Sequence, residues 1–122
     1  MNKNTQQAIS KIEKDLNETE LSLSHLSLTR EDLAYIFEKY QGYFANLKGL
    51  DLSNNNLSNL PERIFENLVN LRWLDLSSNN LPNLPEKIFE NLVNLELLDL
   101  YNNNIESLPE KIENKQGLRI YS

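Results

Sequence analysis

Three short alternations of leucine with a polar residue punctuate the chain. Leu50-Asp-Leu52, Leu74-Asp-Leu76 and Leu98-Asp-Leu100 each place two leucines on one side and an aspartate on the other, the period-two pattern of a half-buried strand. A strand this short cannot stand alone. Between the alternations, Ile64, Phe65 and Leu68, and again Ile88, Phe89 and Leu92, follow Pro61 and Pro85, which predicts a short helical or irregular turn with its apolar side inward. Earlier the period changes. Leu33, Ile36, Phe37, Tyr40, Phe44 and Leu47 recur at spacings of 3, 1, 3, 4 and 3, a helical stripe with a capping start at Thr29 and an expected end at Gly42. Ala8, Ile9, Ile12 and Leu16 form a weaker stripe, expected to be a helix laid over the first strand as an N-terminal cap. The alternative for residues 1–18 is a mobile amphipathic segment that docks on a partner.

The alternations belong to a longer repeat. Leu60-Pro-Glu-Arg-Ile-Phe-Glu-Asn-Leu-Val-Asn-Leu71 recurs as Leu84 to Leu95, identical at 11 of 12 positions with an offset of 24, and a degraded copy starts at Leu108. Leu47-Lys-Gly-Leu-Asp-Leu-Ser-Asn-Asn55-Asn-Leu57 matches Leu71 to Leu81 around Asn79 and Leu95 to Ile105 around Asn103. Residues 20–28 align with 49–57 by their leucines, with Leu26 in place of the asparagine, and read as a divergent zeroth repeat. Stacked at about 4.8 Å, such strands pair in parallel and their leucines form one core.

The gap-free L-x-x-L-x-L-x-x-N-x-L pattern resembles the leucine-rich repeat family. The resemblance implies an α/β fold, a right-handed solenoid with a parallel concave sheet. Residues 1–46 are then an N-terminal helical cap with the zeroth repeat, and residues 47–122 three repeats plus a short C-terminal cap strand. It also implies that Asn55, Asn79 and Asn103 are structural, their buried amides bonding the turn and the neighbouring repeat. Phe65 and Phe89 are read as structural on the return segments. Glu113 and Gln116 take the places of these phenylalanines and of Leu68 and Leu92, which suits an end of the array.

Parallel stacking turns each strand position into a row. One row is Glu20, Gly49, Trp73, Leu97 and Ile120; the next is Ser22, Asp51, Asp75 and Asp99; then come Ser24, Ser53, Ser77 and Tyr101, and finally His25, Asn54, Ser78 and Asn102. Trp73, Leu97 and Tyr101 are thus expected as neighbours on a solvated face, ringed by Asp51, Asp75 and Asp99, and together form the candidate partner-binding site. The alternative for Trp73 is packing, flat over adjacent strand positions. Three carboxylates about 5 Å apart invite a cation. The row lacks the loop carbonyls and bidentate geometry of a calcium site, and Lys48 and Arg72 stand near enough to soften the repulsion, so no metal is expected.

Composition narrows the function. Of 122 residues 24 are Leu and 19 Asn, a skew that itself signals a repeat. Twelve basic and 18 acidic residues leave a net charge of −6 with the bases scattered, which argues against nucleic-acid binding. There is no cysteine for a disulfide, thiolate or zinc site, and His25, the only histidine, lacks a triad partner or oxyanion hole nearby. No catalytic residue and no cofactor are expected. The N-terminus lacks the apolar core of a signal peptide and no run could span a membrane, so a cytoplasmic location is expected. The leading reading is a non-catalytic protein–protein interaction module that binds a protein partner on its concave face as a monomer. The alternatives are a bacterial effector-type repeat protein acting inside a host cell, which an Asn-, Lys- and Ile-rich composition fits, and a self-associating structural protein. A weak dimer would form through the C-terminal edge at Leu118 to Tyr121.

Overall fold

The structure, a computed structural model, describes residues 1–122. Five three-residue strands, β1 (Glu20–Ser22), β2 (Gly49–Asp51), β3 (Trp73–Asp75), β4 (Leu97–Asp99) and β5 (Arg119–Tyr121), form one parallel sheet in chain order. Chain order and spatial order coincide because each return segment brings the backbone back to the start of the next rung, which is what a solenoid requires. Leu21, Leu50, Leu74, Leu98 and Ile120 stand in register, and all but the half-buried Ile120 are buried. The pairing runs on past the strands. The N–H groups of Leu23, Leu52 and Leu76 donate to the carbonyls of Asp51, Asp75 and Asp99 at 2.8 Å each, so Leu23, Leu52, Leu76 and Leu100 make a second inward row.

At the turn leaving each strand the backbone enters the left-handed region, with φ of 56° at Asn54, 55° at Ser78 and 60° at Asn102. Asparagine tolerates this conformation and serine less so. The residue after each of these carries the amide ladder. Asn79 donates to the carbonyls of Leu52, Leu76 and Ser77, and its Oδ1 accepts the N–H groups of Asn55 and Leu57; Asn55 and Asn103 repeat the arrangement one rung away on either side. Each amide therefore closes its own turn and satisfies the donors of the preceding one. This explains Leu26. Its turn is served from ahead by Asn55, and no strand precedes β1 for an amide at residue 26 to serve.

The return segments after Pro61 and Pro85 are irregular, built from successive i→i+3 turns such as Ile64 N–H to Pro61 O and Leu68 N–H to Phe65 O. Phe65 and Phe89 stack there with centroids 6.1 Å apart and planes 8° from parallel, and Phe37 meets Phe65 at 6.0 Å. In the last turn Glu113, the counterpart of these phenylalanines in the repeat, lies at the end of a short helix, α4 (Glu110–Glu113), and is exposed. Asn70 and Asn94 tie consecutive return segments together through the carbonyls of Ala45 and Val69.

Three helices precede β2: α1 (Lys3–Lys14), α2 (Arg30–Lys39) and α3 (Gln41–Ala45). Thr29 closes a capping box with Asp32, as its position ahead of the stripe predicted. Two expectations need correction. Gly42 does not end the helix; α2 stops at Tyr40, whose φ of −117° and ψ of 35° break the helical path, and Gly42 lies inside α3. And α1 packs against α2 rather than lying over the first strand, because its polar contacts lead there. Asp32 accepts hydrogen bonds from Asn2 and Thr5 on one oxygen, at 2.8 Å each, and from Thr29 on the other, while Tyr40 donates to Glu13 at 2.8 Å. Ala8 and Ile12 seal the contact, and Leu16, beyond the helix, is exposed. Burial pushes the Asp32 carboxyl up, but the hydrogen bonds from Thr29, Asn2 and Thr5 outweigh it and hold the group below its ordinary value. Burial and then the Glu13 carboxylate push the Tyr40 phenol up to about 12. The Tyr43 hydroxyl is buried without a hydrogen-bond partner, and burial, Asp15 and Glu18 push it up as well.

Candidate functional site

The outward residues of the strands form two registered rows. The first is Glu20, Gly49, Trp73, Leu97 and Arg119; the second is Ser22, Asp51, Asp75, Asp99 and Tyr121. Arg119, and not Ile120, is the fifth member of the first row. Ile120 points inward beside Leu98, since Leu118 and Ile120 alternate as the inward leucines of the other strands do. Beyond the rows, Tyr101 stands with 64% of its surface exposed, and Tyr121 keeps 48%.

Trp73 and Leu97 are register partners, and both are half-buried. The indole of Trp73 nevertheless leans the other way. It rests on Gly49, where an added Cβ would overlap ring atoms Cε2, Nε1 and Cζ2, and its Nε1–H donates to Glu20 Oε2 at 3.0 Å on the strand beyond. The expected Trp73, Leu97 and Tyr101 cluster is thus divided: the tryptophan covers β1 and β2, and Leu97 and Tyr101 stand toward β5. Gly49 is buried beneath the ring, and only a residue without a side chain fits there. The flat packing weighed for Trp73 is the geometry found, with one ring face down on the sheet.

The aspartates are held by their own turns. Asp51 Oδ1 accepts the N–H and hydroxyl of Ser53 at 2.9 and 2.7 Å, Asp75 Oδ1 those of Ser77 at the same distances, and Asp99 Oδ1 the N–H of Tyr101 at 3.0 Å. Asp51 Oδ2 also meets the Ser22 hydroxyl at 3.3 Å. Lys48 and Arg72 form no ion pair with them; the ion pairs are Arg63 with Glu66 at 3.7 Å and Arg72 with Glu96 at 4.0 Å. The carboxylates gather into no metal-ligating group. His25 sits exposed in the left-handed turn with φ 58°, and the hydroxyls of Ser22 and Ser24 bond each other, not the imidazole.

The face is therefore graded in charge. Glu20, Asp51, Asp75 and Asp99 carry it from β1 to β4, and Arg119 and Tyr121 close it at β5. Arg119, Tyr121, Glu20 and Gly49 join the site that the sequence places around Trp73, Leu97, Tyr101 and the aspartates. The Leu118 and Ile120 alternation was the signal for the first two, and the glycine opposite a tryptophan the signal for the others. Away from the sheet, a cleft of about 550 Å³ opens among the return segments between Phe89, Val93, Lys111 and Lys115. It is shallow in chemistry. Phe89 and Ile112 at its floor are buried, and Lys115 Nζ already donates to the carbonyls of Leu92 and Val93.

Comparison with known proteins bears on the fold. A family model described as leucine rich repeat matches residues 21–81 and 70–119. The crystal structure of the leucine-rich repeat domain of APL1B superposes on 100% of this chain with a TM-score of 0.73 at 24% sequence identity, and the chain spans 34% of that structure's length. At that identity the likeness is one of fold. A search of curated proteins finds no match.

Proposed function

Since this chain belongs to the leucine-rich repeat family, whose fold commonly serves protein–protein interaction, we propose that it is a non-catalytic module that docks a protein partner on the open, concave face of its sheet. The observation that carries the reading is the outward row of Trp73, Leu97 and Arg119, with Tyr121 in the next row and the exposed Tyr101 beyond it, on a registered wall. Tyrosine, tryptophan and arginine are the side chains most often energetic in interfaces. A preorganised surface also loses little entropy on binding. Asp51, Asp75 and Asp99 on the same wall favour a partly basic partner. The cysteine-free composition fits a reducing compartment, so action in the cytoplasm, of the producing cell or of a host reached as an effector, is part of the same proposal.

The test compares wild type with Leu97→Ala and Tyr101→Ala for binding to a partner isolated with the wild-type chain. Neither side chain takes part in the amide ladder, so the fold should be kept. Weakening of about tenfold by each, with Val93→Ser on a return segment neutral, supports the reading; the reverse pattern overturns it. A second reading, self-association through β5, draws on the half-buried Ile105, Leu108, Leu118 and Ile120 at the last rung. Sedimentation mass that rises with concentration supports it, and a constant monomer mass removes it.

A further inference from the structure

We infer that the docking face is built to receive a guanidinium group, an arginine side chain of the partner laid on the outer face of Trp73 and bonded to the carboxylates of Asp51 and Asp75. The inference deepens the docking reading above and rests on it. Three observations carry it.

First, the indole is fixed as a platform. The ring rests on the buried Gly49, its N–H is held by Glu20 Oε2 at 3.0 Å, and the residue stays partly exposed. A donated N–H to a carboxylate also makes the ring richer in electron density, which strengthens its attraction for a cation above it. Second, the carboxylates beside it retain capacity. Asp75 uses Oδ1 for both donors of Ser77, and its Oδ2 receives no donor from the chain; Asp51 Oδ2 has only the Ser22 hydroxyl at 3.3 Å. Third, no lysine or arginine of this chain neutralises them, since the ion pairs lie elsewhere.

An aromatic plate with free carboxylates along one side is complementary to a flat cation whose donors point outward in its own plane. Guanidinium has that shape. It can lie on the ring and still reach sideways to Asp51 and Asp75, one strand spacing of about 4.8 Å apart. An ammonium is a strongly hydrated point charge that must choose between ring and carboxylate. A phosphate or other anion is repelled by the same face.

Trp73 is the only tryptophan, so its fluorescence reports on the site alone. The experiment titrates the full chain, at low salt, with the acetylated and amidated tripeptide Gly-Arg-Gly and with its lysine and citrulline counterparts. A saturable change with the arginine peptide, about threefold or more weaker with lysine and absent with neutral citrulline, is expected. Asp51→Asn with Asp75→Asn keeps the Oδ1 acceptors for Ser53 and Ser77 and should weaken the response about tenfold, as should raising the salt to about 0.5 M. Equal responses to arginine and citrulline, or a double variant with unchanged circular dichroism and unchanged response, overturn the inference. A partner protein that perturbs the amides of Leu97 and Tyr101 yet binds the double variant as tightly as wild type leaves the docking face standing and removes the guanidinium. A partner that perturbs neither removes both.

Discussion

Trp73 and Glu20, 53 positions apart in the chain, meet across Gly49 by a 3.0 Å hydrogen bond from indole to carboxylate. Three strands of the sheet are spanned by this one contact. It settles why a glycine stands in a row otherwise filled by larger residues. Gly49→Ala should lift the ring, because the new methyl would overlap ring atoms rather than backbone. The loss of stability should be modest, about 1 kcal/mol, since an outward side chain can swing aside. Tryptophan emission should move to the red. Unchanged emission would mean that the ring does not rest there.

The amide ladder makes a graded prediction. Asn79→Ala leaves the N–H groups of Asn55 and Leu57 without a partner in a buried turn and takes one of two donors from the carbonyls of Leu52, Leu76 and Ser77, and should cost about 3 kcal/mol in urea unfolding. Asn103→Ala, at a half-exposed rung where water can replace the lost bonds, should cost less. Leu26→Asn should bring no gain, because no turn precedes it to be served. Equal losses at 79 and 103 would contradict the burial argument.

Ser78 adopts φ 55° where the equivalent residues of the neighbouring repeats are Asn54 and Asn102. Asparagine tolerates this conformation better, so Ser78→Asn should stabilise the chain by about 0.5–1 kcal/mol. The midpoint of thermal unfolding reads the sign directly, and a fall would show that the bond from Asn102 Nδ2 to the Ser78 hydroxyl at 3.2 Å matters more than backbone strain.

Asp32 ties α1 to α2, and its carboxyl is held below its ordinary value in the folded chain. A depressed carboxylate contributes stability that is fully present above the unfolded value, about 3.9, and is lost as pH falls through the lower folded value. Asp32→Asn should therefore be less stable than wild type at pH 7, with the gap closing as pH drops below about 4. A gap independent of pH would assign the effect to packing.

Much of this was written in the sequence, and its limits were physical. Leucine alternation and the offset of 24 gave the strands, the parallel register and the amide ladder, because a repeated backbone must repeat its contacts. The offset shortens at the last rung, from 24 between Trp73 and Leu97 to 22 between Leu97 and Arg119, so the repeat length alone does not place Arg119 in the first row. The direction in which Trp73 lies was not legible from periodicity, which fixes a face but not a rotamer; it follows from the empty place above Gly49. The docking of α1 on α2 depends on Asn2, Thr5 and Asp32, polar residues outside any hydrophobic stripe. Likewise, Asp51 and Asp75 found their donors in the serines two residues on, a local geometry that charge counting overlooks.

The most direct test of the docking face is a nuclear magnetic resonance map of the chain with its bound partner. Perturbed amides and side chains should gather at Gly49, Trp73, Leu97, Tyr101, Arg119 and Tyr121. A map centred instead on Phe89, Val93 and Lys115 among the return segments would contradict it.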